Sequence, residues 1–254
     1  ELPGIKEPER VRKLLQGSAN LEFWETFDSK EIYPYLTAID NRLRAILATD
    51  NAATDSTAVE TADAKAVSAA DSLAAALKGE PADNAVAMEQ MKKEHPLASI
   101  LQLNPNGSCV VGYADYKDTA QVNTYLAMKE VKEMLPKDLR LKWGVKGADF
   151  DKTGRIFELY AIKSSGRAPL EGDVITDAKD EFDNFGKPCV SMSMNTDGSR
   201  RWAVLTKNNV GKAIAIVLDG YVYSAPNVNG EITGGHSQIT GHFTPEVTKD
   251  LANV

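Results

Sequence analysis

Long apolar runs are missing from this chain. The longest, Ala213 to Leu218, has the length of a strand and falls far short of the roughly 18–20 residues that a bilayer-spanning helix needs. Basic charge is in deficit: 29 Lys and Arg stand against 36 Asp and Glu, a formal net charge of -7. That disfavours the positive field a nucleic-acid binder requires and docking on an anionic membrane surface by charge alone. Cysteine is scarce. Cys109 and Cys189 cannot build a zinc site without histidine and do not make a disulfide framework. Their apolar flanks mark them as small core residues, and their placement in different segments speaks against one disulfide.

Motifs of chemistry are equally thin. The three histidines are His95, His236 and His242. The last two fall on a strand and loop, at a spacing unlike a helical zinc pair and without an acidic third ligand. They are expected to be surface or hydrogen-bonded loop residues. Asp149, Asp151, Thr153 and Gly154 open like a calcium loop, but Tyr160 stands where a bidentate Glu should close it, so a turn between strands is expected. Gly234-Gly235-His236-Ser237 lacks the Lys-Ser/Thr ending of a phosphate loop and opens no helix; glycines there suit a positive φ. Ser191 and Ser193 have no nucleophile elbow around them. Asp180 and Glu181 are adjacent and point apart, as on a solvated face. No catalytic residue, metal or cofactor is expected, and the chain reads as non-enzymatic.

What is present is patterning. At 254 residues and 43% apolar, the chain has room for two domains and a sizeable core. A helix begins at Pro8, carries Val11, Leu14 and Leu15, and closes at Gly17. Ala19 to Phe27 reads as a strand, Leu21 and Phe23 alternating with Glu22 and Trp24. A helix over 29–48 shows one stripe of Ile32, Tyr35, Leu36, Ile39, Leu43, Ile46 and Leu47. Thr49 to Asn84 is low in complexity, rich in Ala, Asp, Ser and Thr, with little to bury. Its second half, Ala62 to Lys78, suits a solvated surface helix or loop. From Pro96 to Lys163 the pattern predicts a strand (108–113), a helix (119–135) and two strands (139–145 and 155–163), a β-α-β-β unit found in many ferredoxin-like folds.

Further on, Cys189 to Asn195 alternates, with Val190, Met192 and Met194 against Ser191, Ser193 and Asn195. A helix follows from Asp197 to a glycine stop at Gly211. Ala213 to Leu218 is unbroken, as for a strand buried on both faces, and Asp219-Gly220 predicts a tight turn into Tyr221 to Ser224. Gln238 to Thr240 is a short strand. Thr244 and Pro245 open a last helix carrying Val247, Leu251 and Val254. Glu1 follows no Met or charged n-region and Val254 stops inside a helical pattern, so we expect a piece of a longer protein whose targeting and membrane segments lie outside it. The expected fold class is α+β: a discontinuous ferredoxin-like base (1–28 and 170–254) with an inserted α+β head (29–169).

Several separated blocks resemble the periplasmic region of the SecD/SecDF family of protein-export subunits. At the front are Leu2-Pro3-Gly4-Ile5, Glu9-Arg10-Val11 and Leu21-Glu22-Phe23. Gly172-Asp173 and Thr176-Asp177-Ala178 follow. At the back are Asn209-Val210-Gly211-Lys212, Ala215 to Leu218 with Asp219-Gly220, Ser224-Ala225-Pro226, Ile232-Thr233-Gly234-Gly235, Gln238-Ile239-Thr240-Gly241 and Phe243-Thr244. The region from 29 to 170 carries no such block, and the family's upstream Gly-rich block is absent.

The resemblance implies an extracytoplasmic, periplasmic domain of a bacterial inner-membrane subunit, anchored through segments outside this chain. It implies SecF, separate or fused, and the SecYEG channel as partners, and a role in binding emerging unfolded preproteins during proton-motive-force-driven export. The alternative is a docking scaffold for the channel without preprotein contact. The proton pathway belongs to membrane segments, so the resemblance carries over no catalytic residue. The apolar residues Trp143, Phe150 and Tyr160 of the inserted block are candidate preprotein contacts. Asp219 is expected to stabilise its turn.

Overall fold

Alternation and turn chemistry dictate most of the local structure. The computed structural model describes residues 20–54, 89–240, 243 and 245–252. The expected first helix with Pro8 and Gly17, the motif residues Leu2, Pro3 and Gly4, most of the Thr49 to Asn84 segment, Gly241, His242, Thr244 and Val254 lie outside the described residues. In chain order the elements are β1 (Leu21–Thr26), α1 (Ser29–Thr54), β2 (Gln102–Leu103), β3 (Val110–Asp115), α2 (Thr119–Ala127), α3 (Lys129–Lys132), β4 (Leu139–Gly147), β5 (Ile156–Lys163), β6 (Leu170–Glu171), β7 (Ile175–Phe182), β8 (Pro188–Met194), α4 (Thr196–Asn208), β9 (Ile214–Leu218), β10 (Tyr221–Ser224), β11 (His236–Thr240) and α5 (Pro245–Ala252). The class is mixed α+β. No described helix is long and apolar enough to cross a membrane.

The described residues divide into two compact units. The first is drawn from Glu1–Tyr33, Asn104–Tyr116 and Pro136–Val254. Its larger sheet runs in the order β3-β5-β4-β10-β9-β1-β6, and its smaller one β11-β8-β7. The second is drawn from Pro34–Leu103 and Lys117–Leu135. This differs from the expected division at 28/29 and 169/170. β4 and β5, assigned to the inserted domain, hydrogen-bond into the sheet that holds β1 and β10. Patterning reveals a strand, but not which sheet it joins.

In the first unit the larger sheet is buried on both faces around β9 and β1. The unbroken run of β9 divides by alternation: Ile214, Ile216 and Leu218 enter one cluster with Phe23, Trp202, Met192 and Ile239. Ala215 and Val217 enter another with Trp24, Ile162, Ala168 and Val222. Trp24 was expected on a polar face beside Glu22. It does share a face with Glu22, whose carboxylate accepts the indole N–H at 2.8 Å, but that face is covered and Trp24 is 5% exposed. Asp219 and Gly220 turn β9 into β10 at φ 49° and 89°, the left-handed pair a two-residue hairpin demands. The Asp219 carboxylate reaches across to accept the N–H of Asn20 at 3.2 Å, so it ties the hairpin to the start of β1 rather than bonding within its own turn.

Asn195, expected as an outward strand residue, instead caps α4. Its side chain accepts the N–H of Gly198 at 2.8 Å, as N-cap asparagines do. Gly235, at φ +73°, has no room for a side chain: a Cβ there would lie 1.9 Å from Ser199 Oγ and 3.2 Å from the Met194 carbonyl.

In the second unit the α1 stripe is confirmed at Leu36, Ile39 and Leu43, all 0% exposed, whereas Tyr35 stands out at 42%. Leu97, Leu101, Val122 and Val131 are also fully buried. The buried Asp40 carboxylate accepts the Leu97 N–H (2.8 Å) and the Ala98 N–H (3.1 Å), and pairs with His95 Nδ1 at 2.8 Å.

Candidate functional site

Several of the described motif residues lie in the framework. Leu21 and Phe23 are core, Gly211 adopts φ 78°, and Gly234 and Gly235 turn the chain into β11. Ala225 packs against the cluster around Trp24, while the Pro226 carbonyl accepts the Ile214 N–H at 3.1 Å. Both cysteines are free. Burial pushes the Cys109 thiol up to about 12, which leaves it protonated and unreactive. His236 Nδ1 lies 3.0 Å from Ser193 Oγ on the neighbouring strand. Among the described residues no group of three His, Cys, Asp or Glu could hold a metal ion.

The loop from Asp149 to Gly154 is the turn it was expected to be. The Asp151 carboxylate accepts the Thr153 hydroxyl (2.7 Å) and the N–H groups of Thr153 (2.9 Å), Arg155 (2.6 Å) and Ile156 (2.8 Å). Those bonds, the Thr153 hydroxyl first, hold its carboxyl well below the ordinary 3.8. A depressed acid stabilises the fold above its unfolded value and loses that contribution as pH falls through the folded one. Asp151→Ala is therefore expected to lower the thermal midpoint at neutral pH, with the gap to the parent chain closing as pH falls below 3.8. A gap that stays constant into acid would show that the carboxylate charge plays no part.

The three apolar candidates separate. Trp143 and Tyr160 face opposite sides of the sheet, since Trp143 pairs with Leu159 and Tyr160 with Lys142. Tyr160 packs against the Trp24 cluster and donates its hydroxyl to Glu158 at 2.7 Å. Burial pushes its phenol well up. Phe150 alone is broadly exposed, at 65%.

Phe150 stands edge-on to Tyr113, ring centroids 5.2 Å apart and planes at 76°. At the same end of β3 and β5, Tyr116 (70% exposed) lies 6.1 Å from Phe157. The two pairs lie on opposite faces at one end of the larger sheet, since Tyr113 is opposite Glu158 and Phe157 is opposite Ala114. Arg155 and Asp115 are paired there at 2.9 Å. Sequence reasoning missed Tyr113, Tyr116 and Phe157, because each alternates with neighbours as a core residue would. It also missed Phe182 (67% exposed) and Phe185 (88%) on the β7–β8 hairpin. A signal was available there, since aromatics inside a charged stretch that also holds Asn184 and Gly186 have no core to reach.

A cavity of about 190 Å³ lies beside Trp202, walled by Ile214, Ile216, Val228, Ile232 and Ile239. It is smaller than the roughly 300–1,000 Å³ of sites for drug-sized ligands. The Trp202 indole N–H has no hydrogen-bond partner among the described residues.

Known proteins resemble the chain as follows. Residues 150–254 match the family model described as "SecDF, P1 head subdomain". The SecD subunit of Rhodothermus marinus is 40% identical over the whole chain, which spans 38% of that protein. SecD of Leptotrichia buccalis is 32% identical over 61% of the chain and 33% of its own length. SecD of Rickettsia conorii is 43% identical over 37% of the chain and 18% of its own length. Among solved structures, SecDF in a super-membrane-facing form is 26% identical over 50% of this chain and 20% of its own, with a TM-score of 0.34. The SecDF structure from Thermus, described as a translocon-associated membrane protein, is 20% identical over 92% of this chain and 28% of its own, with a TM-score of 0.32.

The head-subdomain match takes in 170–254, the stretch expected to complete a base. The motif blocks identify a family without saying which subdomain carries them. Whole-length identity to a SecD subunit and the head-subdomain match lead to one conclusion: the chain belongs to the SecD/SecDF family of protein translocase subunits.

Proposed function

We propose that this chain is the periplasmic part of a Sec export subunit that transiently holds unfolded preproteins as they emerge, working with SecF and the SecYEG channel in proton-motive-force-driven translocation. The observation that carries this reading is the aromatic pair of Tyr113 and the broadly exposed Phe150. Weak, sequence-tolerant holding of unfolded chains calls for exposed apolar area, and aromatic rings supply it at low entropic cost. The family supplies the export setting, and the role requires no catalytic group.

Photocrosslinking from Tyr113 and Phe150 in the full-length parent during stalled export tests the reading. Crosslinks to the preprotein are expected. Crosslinks to channel subunits alone would favour a docking scaffold. In solution, the pair Tyr113→Ser and Phe150→Ser is expected to weaken binding of a permanently unfolded test protein about five- to tenfold, the usual scale for losing exposed aromatic anchors. Unchanged affinity would remove this surface from the account.

A further inference from the structure

The second exposed apolar feature belongs to the smaller sheet. Among the described residues β7 is an edge strand there, paired with β8 on one side only. The Asp183 N–H donates to the Lys187 carbonyl at 2.8 Å, which makes Asp183 and Lys187 a bonded pair. The next pair, Phe182 with Pro188, is then a non-bonded one, a position that suits a proline with no N–H to give. Antiparallel alternation sends the backbone groups of Phe182, Asp180 and Ala178 outward, away from β8. Among the described residues no backbone hydrogen bond engages that outer row.

The charges along the strand are unevenly matched. Asp177 is paired with Lys179 at 2.9 Å. One Asp183 oxygen is taken by the N–H groups of Phe185 (2.8 Å) and Lys187 (2.9 Å). Asp180 and Glu181 form no ion pair among the described residues. Charge on an edge ordinarily guards it against strand addition, but a guarded edge does not also present bare aromatics. This hairpin carries Phe182 and Phe185 at 67% and 88% exposure, with the half-buried Pro188 opposite Phe182.

We propose that the outer edge of β7 receives an extended polypeptide segment as an added strand. Its backbone pairs with Ala178, Asp180 and Phe182, its apolar side chains pack on Phe182 and Phe185, and its lysines or arginines, alternating to the other face, meet Glu181. The proposal rests on the preprotein-holding reading and names the segment chemistry it selects: extended, apolar and basic. Charge complementarity singles out this occupant over a second copy of the chain, which would set the same carboxylates against each other.

The test uses the 254-residue chain and fluorescence anisotropy with three labelled peptides. One alternates apolar residues with lysine, one replaces lysine with glutamate, and one is the lysine peptide N-methylated at alternate backbone amides. The lysine peptide is expected to bind about tenfold more tightly than either of the others, since each lacks the charge match or the strand ladder. Glu181→Lys is expected to reverse the charge preference, and the pair Phe182→Ser and Phe185→Ser to weaken binding about tenfold. Equal binding of the N-methylated peptide, measured on the unaltered chain, overturns the proposal, as does a charge preference indifferent to the Glu181 change. So does self-association that the Phe182 and Phe185 changes abolish, which would make the edge a contact between copies. If binding is lost only with the Tyr113 and Phe150 changes, the edge proposal fails while preprotein holding stands. If no unfolded chain binds and stalled export yields no preprotein crosslink, both fail.

Discussion

Replacing Phe23 by alanine is expected to destabilise the first unit by about 3–5 kcal/mol, the range for emptying an aromatic site in a packed core. Phe23 is 0% exposed. On β1 it lies opposite Ile216 of β9 and Leu170 of β6. Its ring meets Trp202 edge-on, with centroids 5.3 Å apart and planes at 67°, an arrangement worth more than the buried area alone. The lost contacts come from both neighbouring strands and from α4, so no single element can move in to close the void. Phe23→Leu keeps most of the volume and is expected to cost less than about 1.5 kcal/mol. Denaturant unfolding followed by tryptophan fluorescence distinguishes the two, because Trp24 and Trp202 report on the two faces of the sheet. A loss below about 1 kcal/mol for Phe23→Ala would mean that the site collapses freely, contrary to the packing described.

The second large effect belongs to the other unit. Asp40→Ala is expected to cost about 2–4 kcal/mol, because it strands buried N–H donors as well as removing charge-assisted bonds. Asp40 is 5% exposed and Leu97 0%, so water cannot replace the carboxylate at the Leu97 N–H. Asp40→Asn retains an acceptor oxygen and is expected to lose less, about 1 kcal/mol, mainly at His95. Hydrogen exchange locates the effect: the amides of Leu97 and Ala98 should lose protection in Asp40→Ala and keep most of it in Asp40→Asn. Protection unchanged in the alanine variant would show that the 95–101 turn holds without its carboxylate anchor.

Much of the chain was legible because its signals are local. The period of β1, β8 and α1, the unbroken run of β9 and the Asp219-Gly220 turn each follow from a few neighbouring residues and emerged at nearly the expected bounds. β7 did not. Its sequence from Ile175 to Phe182 is dominated by charge, with only Ala178 half-buried near its middle. Such an edge strand is defined by its partner β8 rather than by a pattern of its own. The candidate surface divided in the same way. Phe150 was found as an aromatic in a turn, but Tyr113 and Tyr116 entered only because β3 and β5 bring them beside it and beside Phe157.

By itself the sequence determined the family, the mixed α+β class and the want of a recognisable catalytic or metal motif, since blocks, composition and periodicity are read along the chain. The tertiary structure alone decided that β4 and β5 join the sheet of β1 and β10, that Trp24 is buried, and that Tyr160 is committed to packing while Phe150 is left bare. Those outcomes depend on what each side chain meets. The partners, Glu25 against Lys163 or Phe23 against Trp202, lie far apart in the chain and come together only when the sheets form.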